Sequence, residues 1–265
     1  MVTTSILLTV FNRAPEVLKR TLESLLQNNL DECEIVIVDD GSTDDFAGQY
    51  TKVLDETVRA PRHRRRLHWH RIDTKIDHPE TYSLGGYNNP AYAFLSAARL
   101  AQGQRIVFVS SDCIVPPGIV EALREVDLSV AAYHARVLNS TGQVFCGGER
   151  IAPYGWFFAL QKSDYVACGE HDLNYLKGMS FEDNDFTGRV LRHVGRITID
   201  LNQTVIHQDH ENHWADDGLA GWKINEAYTR EKWGGKVPFS GSKETEAVPY
   251  HLEWANHRIA VVRNI

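Results

Sequence analysis

The stretch Arg105–Gly118, RIVFVSSDCIVPPG, decides how the rest of the chain is read. Ile106 to Val109 are apolar or aromatic and predict a short buried strand. Ser110, Ser111 and Asp112 follow at its carboxyl end, and Pro116, Pro117 and Gly118 then open a new element. In an α/β protein, an acidic side chain just past a buried strand stands where ligands usually bind. A carboxylate with small hydroxyl residues beside it suits a divalent cation that also holds a phosphate. The alternative reading is that Asp112 only caps the helix after Pro116.

Outward from this stretch the chain alternates strand and helix signals. Ser5–Val10 predicts a strand ending in Phe11-Asn12-Arg13, and Asn12 and Pro15 are helix-start signals. Leu18, Leu22, Leu25 and Leu26 recur at helical spacing, so residues 15–28 predict an amphipathic helix. Glu34–Val38 predicts a second buried strand, running into Asp39-Asp40-Gly41-Ser42-Thr43-Asp44-Asp45. The three elements make a βαβ unit with an acidic cluster at its second carboxyl end; a solvated turn would use the same residue types. Asn89-Pro90 opens a helix with Ala91, Phe94, Leu95 and Ala98 on one face. Further helices are predicted from Pro117 to Val126 and from Ala215 to Lys232. Ser129–Leu138 predicts a strand, and Arg196–Val205 a strand pair.

With 265 residues, 43% hydrophobic and 24% charged, the composition is that of an ordinary globular protein. The net charge of -7 argues against a generally basic nucleic-acid surface. A local patch stays open, because residues 59–71 carry six arginines among three histidines and Trp69. The run Ile6–Phe11 is too short to span a membrane, and no signal-peptide pattern precedes it. Cys33, Cys113, Cys146 and Cys168 have no CxxC spacing and are expected to be reduced thiols of a cytoplasmic protein.

Four stretches, LLTVFNR, IVIVDDGSTDD, VFVSSDCIVPPG and GMSFEDNDFTGR, occur in that order. Together they resemble family 2-like glycosyltransferases of the GT-A fold across residues 5–210. The resemblance implies a three-layer α/β/α sandwich with a mostly parallel central sheet. It divides the chain into a domain at 1–235 and a small C-terminal extension at 236–265. Residues 1–115 would be the nucleotide half and 116–235 the acceptor and metal half. The implied activity is transfer of a sugar from a nucleotide-diphosphate donor to an acceptor hydroxyl, with inversion and with Mn2+ or Mg2+.

By position, the resemblance places Thr9, Phe11 and Arg13 near the nucleotide, Asp39 on the base and Asp40 close to it. Asp112 matches the last acid of the DxD motif, with Ser111 beside it, and His207 matches a further metal ligand. Ser110 stands where the first DxD acid would be. Asp183 matches the general base, with Glu182 next to it. A UDP-sugar fits an Asp at position 39, which can accept the uracil N–H, although guanine also offers one. Glu182, Asp183 and Asp185 place like charges together, which raises a carboxyl pKa; an acidic helix start is the plainer reading. His207, His210 and His213 are spaced by three, as in a metal site. Trp156 and Trp214 suit ring stacking or the core. Two rival functions remain: transfer to modified DNA, favoured by the arginine-rich loop, and a non-catalytic sugar-nucleotide-binding module. An oxidoreductase ranks last, because no GxGxxG follows the first strand.

Overall fold

The computed structural model describes residues 1–58, 66–84, 87–146, 155–210, 219–239, 250–256 and 259–264. Its centre is four parallel strands in the order β3-β2-β1-β6: β1 Thr4–Val10, β2 Cys33–Asp40, β3 Leu67–Ile72 and β6 Arg105–Ser110. The short strands β4 Ser83–Leu84 and β5 Tyr87–Asn88 form a separate ribbon. β1 and β2 read as near-continuous apolar runs because both of their faces are covered, as parallel strands require.

The pleat sorts their side chains into two cores. Ile6, Leu8, Ile35, Ile37, Val107 and Val109 meet helices α1 (Pro15–Leu25) and α2 (Asp44–Thr57). Leu7, Val36, Val38, Ile106 and Phe108 face the opposite layer, where α3 (Thr74–Asp77) is followed by α4 (Ala91–Leu100). The first core also takes in α5 (Ile119–Arg124). The second takes in Tyr165 of α6 (Lys162–Ala167) and the apolar stripe Phe186, Val190 and Leu191 of α7 (Glu182–Val194). The result is the expected three-layer sandwich.

Beyond β6 the sheet becomes mixed. β10 (Phe157–Gln161) runs antiparallel to both β6 and β8 (Ala132–Leu138). β8 is parallel to β11 (Arg196–His207) and antiparallel to β9 (Val144–Cys146). The expected strand pair at Arg196–Val205 is one long strand, broken in register by a bulge between Asp200 and Thr204. The C-terminal segment adds β12 (Tyr250–Asn256) and β13 (Ile259–Asn264) to the edge at β11. The predicted helix at Ala215–Lys232 is α8, Leu219–Lys232; residues 211–218 lie outside the described part.

Three further features depart from the sequence reading. α2 was not anticipated, because only Tyr50 and Val53 along its length are buried and its apolar signal is thin. The end of the arginine-rich run is strand β3 rather than loop: Arg66 reaches Leu30 and Asp31, and Trp69 packs on Tyr50. Arg59, Arg62, Arg64 and Arg65 lie outside the described residues. Asp112 caps no helix; α5 starts seven residues later, after Gly118.

Candidate active site

The strand order reverses beside β1, between β2 on one side and β6 on the other, which is where α/β sheets open a crevice at their carboxyl ends. A cavity of about 550 Å³ lies there. Thr9 and Ser110, paired in register, form its floor, and Phe11, Arg13 and Ser111 line it from the loops that follow. A second groove, between α1 and α2, carries interspersed Glu, Asp and Lys side chains away from this crevice.

The alternation of β2 separates the two acids that end it. Asp40 shares the face of Val36 and Val38 and lines the cavity. Its Oδ1 accepts from the Thr74 amide at 2.9 Å and from the Thr74 hydroxyl. Burial raises its pKa, partly offset by these bonds. Asp39 shares the other face, with Ile35 and Ile37, and is fully buried. It accepts from the Ser42 amide at 3.1 Å and does not line the cavity. Of the two acids, Asp40 rather than Asp39, where the base contact was expected, lines the crevice. Gly41 follows with φ +69, and a Cβ there would stand 2.9 Å from Asp73 Cγ, so this turn needs glycine. Asn12 ties the two loops together through Ser42 and Thr43, and Arg71 donates to the Ser42 carbonyl at 2.6 Å.

Asp112 is brought beside two histidines by a short antiparallel pairing. β7 (Cys113–Ile114) joins the end of β11, Cys113 opposite His207. His207 Nε2 lies 3.7 Å from Asp112 Oδ1, and His210 Nε2 lies 3.1 Å from Asp112 Oδ2. One ligand atom from each residue falls within 4.8 Å of the other two. Arg13 Nη2 is also 3.2 Å from Asp112 Oδ2. Burial alone would raise the Asp112 pKa; the His210 hydrogen bond and the Arg13 and His207 charges outweigh it and hold it at about 2. Burial lowers the His207 pKa, against the pull of the Asp112 charge, and so favours the uncharged ring that can offer a lone pair. Its ring stacks on Phe145 at 4.6 Å and meets Trp156 edge-on at 6.0 Å. Trp156 thus lines the cavity and packs on the core at once. His213 and Trp214 lie outside the described residues.

Across the cavity, Ser180 (φ 58) and Phe181 (φ 70) are both left-handed and neither is glycine. Such backbone is strained and is kept where the surroundings enforce it, often at functional sites. It turns Glu182 and Asp183, the first residues of α7, into the cavity. Glu182 is 8% exposed and accepts from Asn89 Nδ2 at 2.8 Å. Burial, and then the neighbouring Asp183 charge, raise the Glu182 pKa; burial also raises that of Asp183. Asp185 does not belong to this group. Arg189 of its own helix donates to it from Nε at 2.8 Å, and from the end of α8 Lys232 Nζ donates at 3.0 Å and the following Trp233 Nε1 at 2.8 Å.

The sequence reading did not single out Asn88, Asn89 or Phe145 as site residues. Asn89 carries a local signal, since the side chain before Pro90 accepts from the Ala91 amide as a helix start does. Phe145 and Asn88 carry none. His210 had only its spacing.

Residues 5–72 match the family described as Glycosyl transferase family 2. The mixed α/β fold is similar to GT-A glycosyltransferase structures. Among solved structures, the chain resembles S. aureus TarS 1–349 at 15% identity and TM-score 0.57, over 78% of this chain and 60% of that one. It resembles the same TarS fragment in complex with UDP-GlcNAc at 16% identity and TM-score 0.60, over 84% of this chain and 64% of that one. The chain thus spans less than two thirds of the length of either fragment. No curated protein matches the sequence. No helix among the described residues is long and apolar enough to cross a membrane. The matched segment 5–72 supplies Thr9, Phe11, Arg13 and Asp40 to the cavity, while Asp112, Glu182, Asp183 and the histidines come from beyond it.

Proposed function

We propose that the chain is an inverting glycosyltransferase that moves a sugar from a nucleotide-diphosphate donor, a UDP-sugar, to an acceptor hydroxyl in a cytoplasmic setting. The observation that carries the reading is the convergence of three groups on one cavity. Asp40 with Thr9 and Phe11, Asp112 with the two histidines, and the Glu182–Asp183 pair all line it. The UDP-GlcNAc complex of TarS supports a UDP-sugar as the donor class.

Asp40 would accept the N–H of the base, with Phe11 and Thr9 along the nucleoside. Arg13 and Ser111, next to Asp112, face the position of the diphosphate. Asp112, His207 and His210 fit a divalent cation: one carboxylate oxygen and two imidazole nitrogens converge, and burial favours the uncharged His207 ring. Such a mixed set suits Mn2+ better than Ca2+, and Mg2+ also accepts it. When bound, the ion offsets the negative charge that develops on the departing diphosphate. The serine at position 110 leaves the cation one acid fewer, and His210 supplies a compensating donor.

In the transfer, the acceptor oxygen forms a bond to the anomeric carbon as the bond from that carbon to the diphosphate oxygen breaks. The bonding pair leaves with the diphosphate, and the acceptor proton passes to a carboxylate. Asp183 is the better placed base, since it is partly exposed in the cavity while Glu182 is buried and held by Asn89. A raised pKa brings a carboxylate closer to the working pH, where general bases act best. The pair also speaks against a non-catalytic binding module, which has no use for two carboxyls whose ionisation the cavity disfavours. The acceptor is read as a glycan hydroxyl; steep salt dependence of acceptor binding would point instead to modified DNA. The test is hydrolysis of a panel of nucleotide sugars with Mn2+ present. Turnover of UDP-sugars that stops with chelator supports the proposal, and no turnover of any nucleotide sugar overturns it.

A further inference from the structure

Gln208 lies between the two histidines of the cation site, and its side chain points away from the cavity. It is 6% exposed, and its polar atoms are satisfied by α1. Its Nε2 donates to the Val17 carbonyl at 3.1 Å and to Thr21 Oγ1 at 3.0 Å. Its Oε1 accepts from Arg20 Nε at 2.5 Å. Its backbone N–H donates to the Asp112 carbonyl at 2.8 Å. Thr21, fully buried, closes the loop by donating its hydroxyl to the Ser111 carbonyl at 2.8 Å.

One face of α1 therefore grips both halves of the site. Thr21 holds the Ser111–Asp112 turn, Gln208 holds the His207–His210 segment, and the two are bonded to each other. The grip continues to the end of the helix and past it: Ser24 Oγ accepts from the Val115 amide at 2.9 Å, and Asn28, just beyond α1, accepts through Oδ1 from the Val120 amide at 3.3 Å. Buried amide and hydroxyl groups in the seam between a helix and two loops cost stability unless all are paired. A plain apolar seam would join these parts without setting their register. Bonds in fixed directions set it, and they fix where the Asp112 carboxylate stands relative to the imidazoles.

We infer that Gln208 and Thr21 are positioning residues that hold Asp112, His207 and His210 in register for one divalent cation. The inference rests on the cation site proposed above. Partners behind the ligands of a metal site tune its affinity, and losing one typically weakens binding on the order of 10–100-fold.

The test is titration of the purified full chain with Mn2+ alone, followed by the electron paramagnetic resonance signal of the free ion. Gln208→Met keeps the length and removes the three side-chain hydrogen bonds; Thr21→Val removes the hydroxyl, and Thr21→Ser keeps it. The inference expects Gln208→Met and Thr21→Val to weaken Mn2+ binding by on the order of 10–100-fold, with Thr21→Ser within about threefold of the parent. A purely structural role would lower Tm and leave the Mn2+ Kd of the folded protein unchanged. Folded variants with the parent Kd, or a Thr21→Ser no better than Thr21→Val, overturn the inference while leaving the cation site standing. A parent that binds no Mn2+ overturns both. If Gln208→Met does not fold, the Thr21 pair decides alone.

Discussion

Asn89 Nδ2 donates to Glu182 Oε2 at 2.8 Å, and both side chains are buried. The two residues are 93 positions apart and start two different helices, so the bond locks α4 to α7 at the edge of the cavity. It favours the charged carboxylate against the burial and the Asp183 charge that raise the Glu182 pKa.

Removing the donor should therefore act twice. Asn89→Ala is expected to cost about 1–3 kcal/mol in urea unfolding, the range for leaving a buried partner unsatisfied. It should also move the acid limb of the pH–kcat/KM profile to higher pH, because the carboxyl pair then gives up its proton less readily. A variant with the parent profile would show that the bond does not reach the titrating pair.

The carboxyl pair itself should make stability fall with rising pH. Both folded pKa values lie above the ordinary carboxyl range, so in that window the folded state binds more protons than the unfolded one. The protonated pair is fully accommodated below the ordinary range, and stability is lost as pH rises through the folded values. Glu182→Gln removes this cost. Its Tm should exceed the parent's by about 2–4 °C at pH 8, the change for about 1 kcal/mol in a chain of this size, and match it at pH 4. Differential scanning calorimetry at the two pH values checks this.

Asp40 and Asp39 should separate in donor binding. Asp40→Asn is expected to weaken UDP binding by about 1–3 kcal/mol, the range for a charged hydrogen bond. Asp39→Asn should leave UDP affinity within about twofold, because its buried carboxylate is held by the Ser42 amide and Arg71 and does not line the cavity. Calorimetric titration with UDP decides, and the reverse order would return the base contact to Asp39.

These two acids also show what the sequence carried. The VDDGSTDD run located a site at the end of a strand. Which acid faced it depended on the strand's pleat and on which helices covered each face, and the apolar residues of β2 look alike on both faces. Asp112 was legible because a buried strand runs straight into it. His210 was not, because its approach to Asp112 depends on the β7–β11 pairing between segments about 90 residues apart. Asp185 misled for the opposite reason: three acids close in sequence point in different directions on a helix, and Trp233, Arg189 and Lys232 claim this one. The polar seam of α1 was hidden behind its leucines; Thr21, Ser24 and Asn28 recur at helical spacing, which is legible only once their partners are known.

The cation site should respond to its members unequally. Asp112→Ala should abolish Mn2+ retention, and His210→Ala should weaken it by at least about tenfold, the low end for altered ligand shells. Without the ion, the Asp112 pairing stabilises the fold above the ordinary carboxyl value and is lost as pH falls towards about 2, since its folded pKa is depressed. Acid unfolding of Asp112→Ala should accordingly be less steep than the parent's over that range.

In the proposed reaction, Asp183 takes the acceptor proton beside a donor held elsewhere in the same cavity. Asp183→Asn keeps the shape and removes the basicity. The most direct measurement is kcat of this variant with a UDP-sugar and a cognate acceptor, alongside the Kd of UDP. The expected kcat is lower by about 10²-fold or more, with the UDP Kd within about twofold of the parent. Near-normal kcat in Asp183→Asn would contradict it, and a loss confined to Glu182→Gln would assign the proton to the other carboxylate.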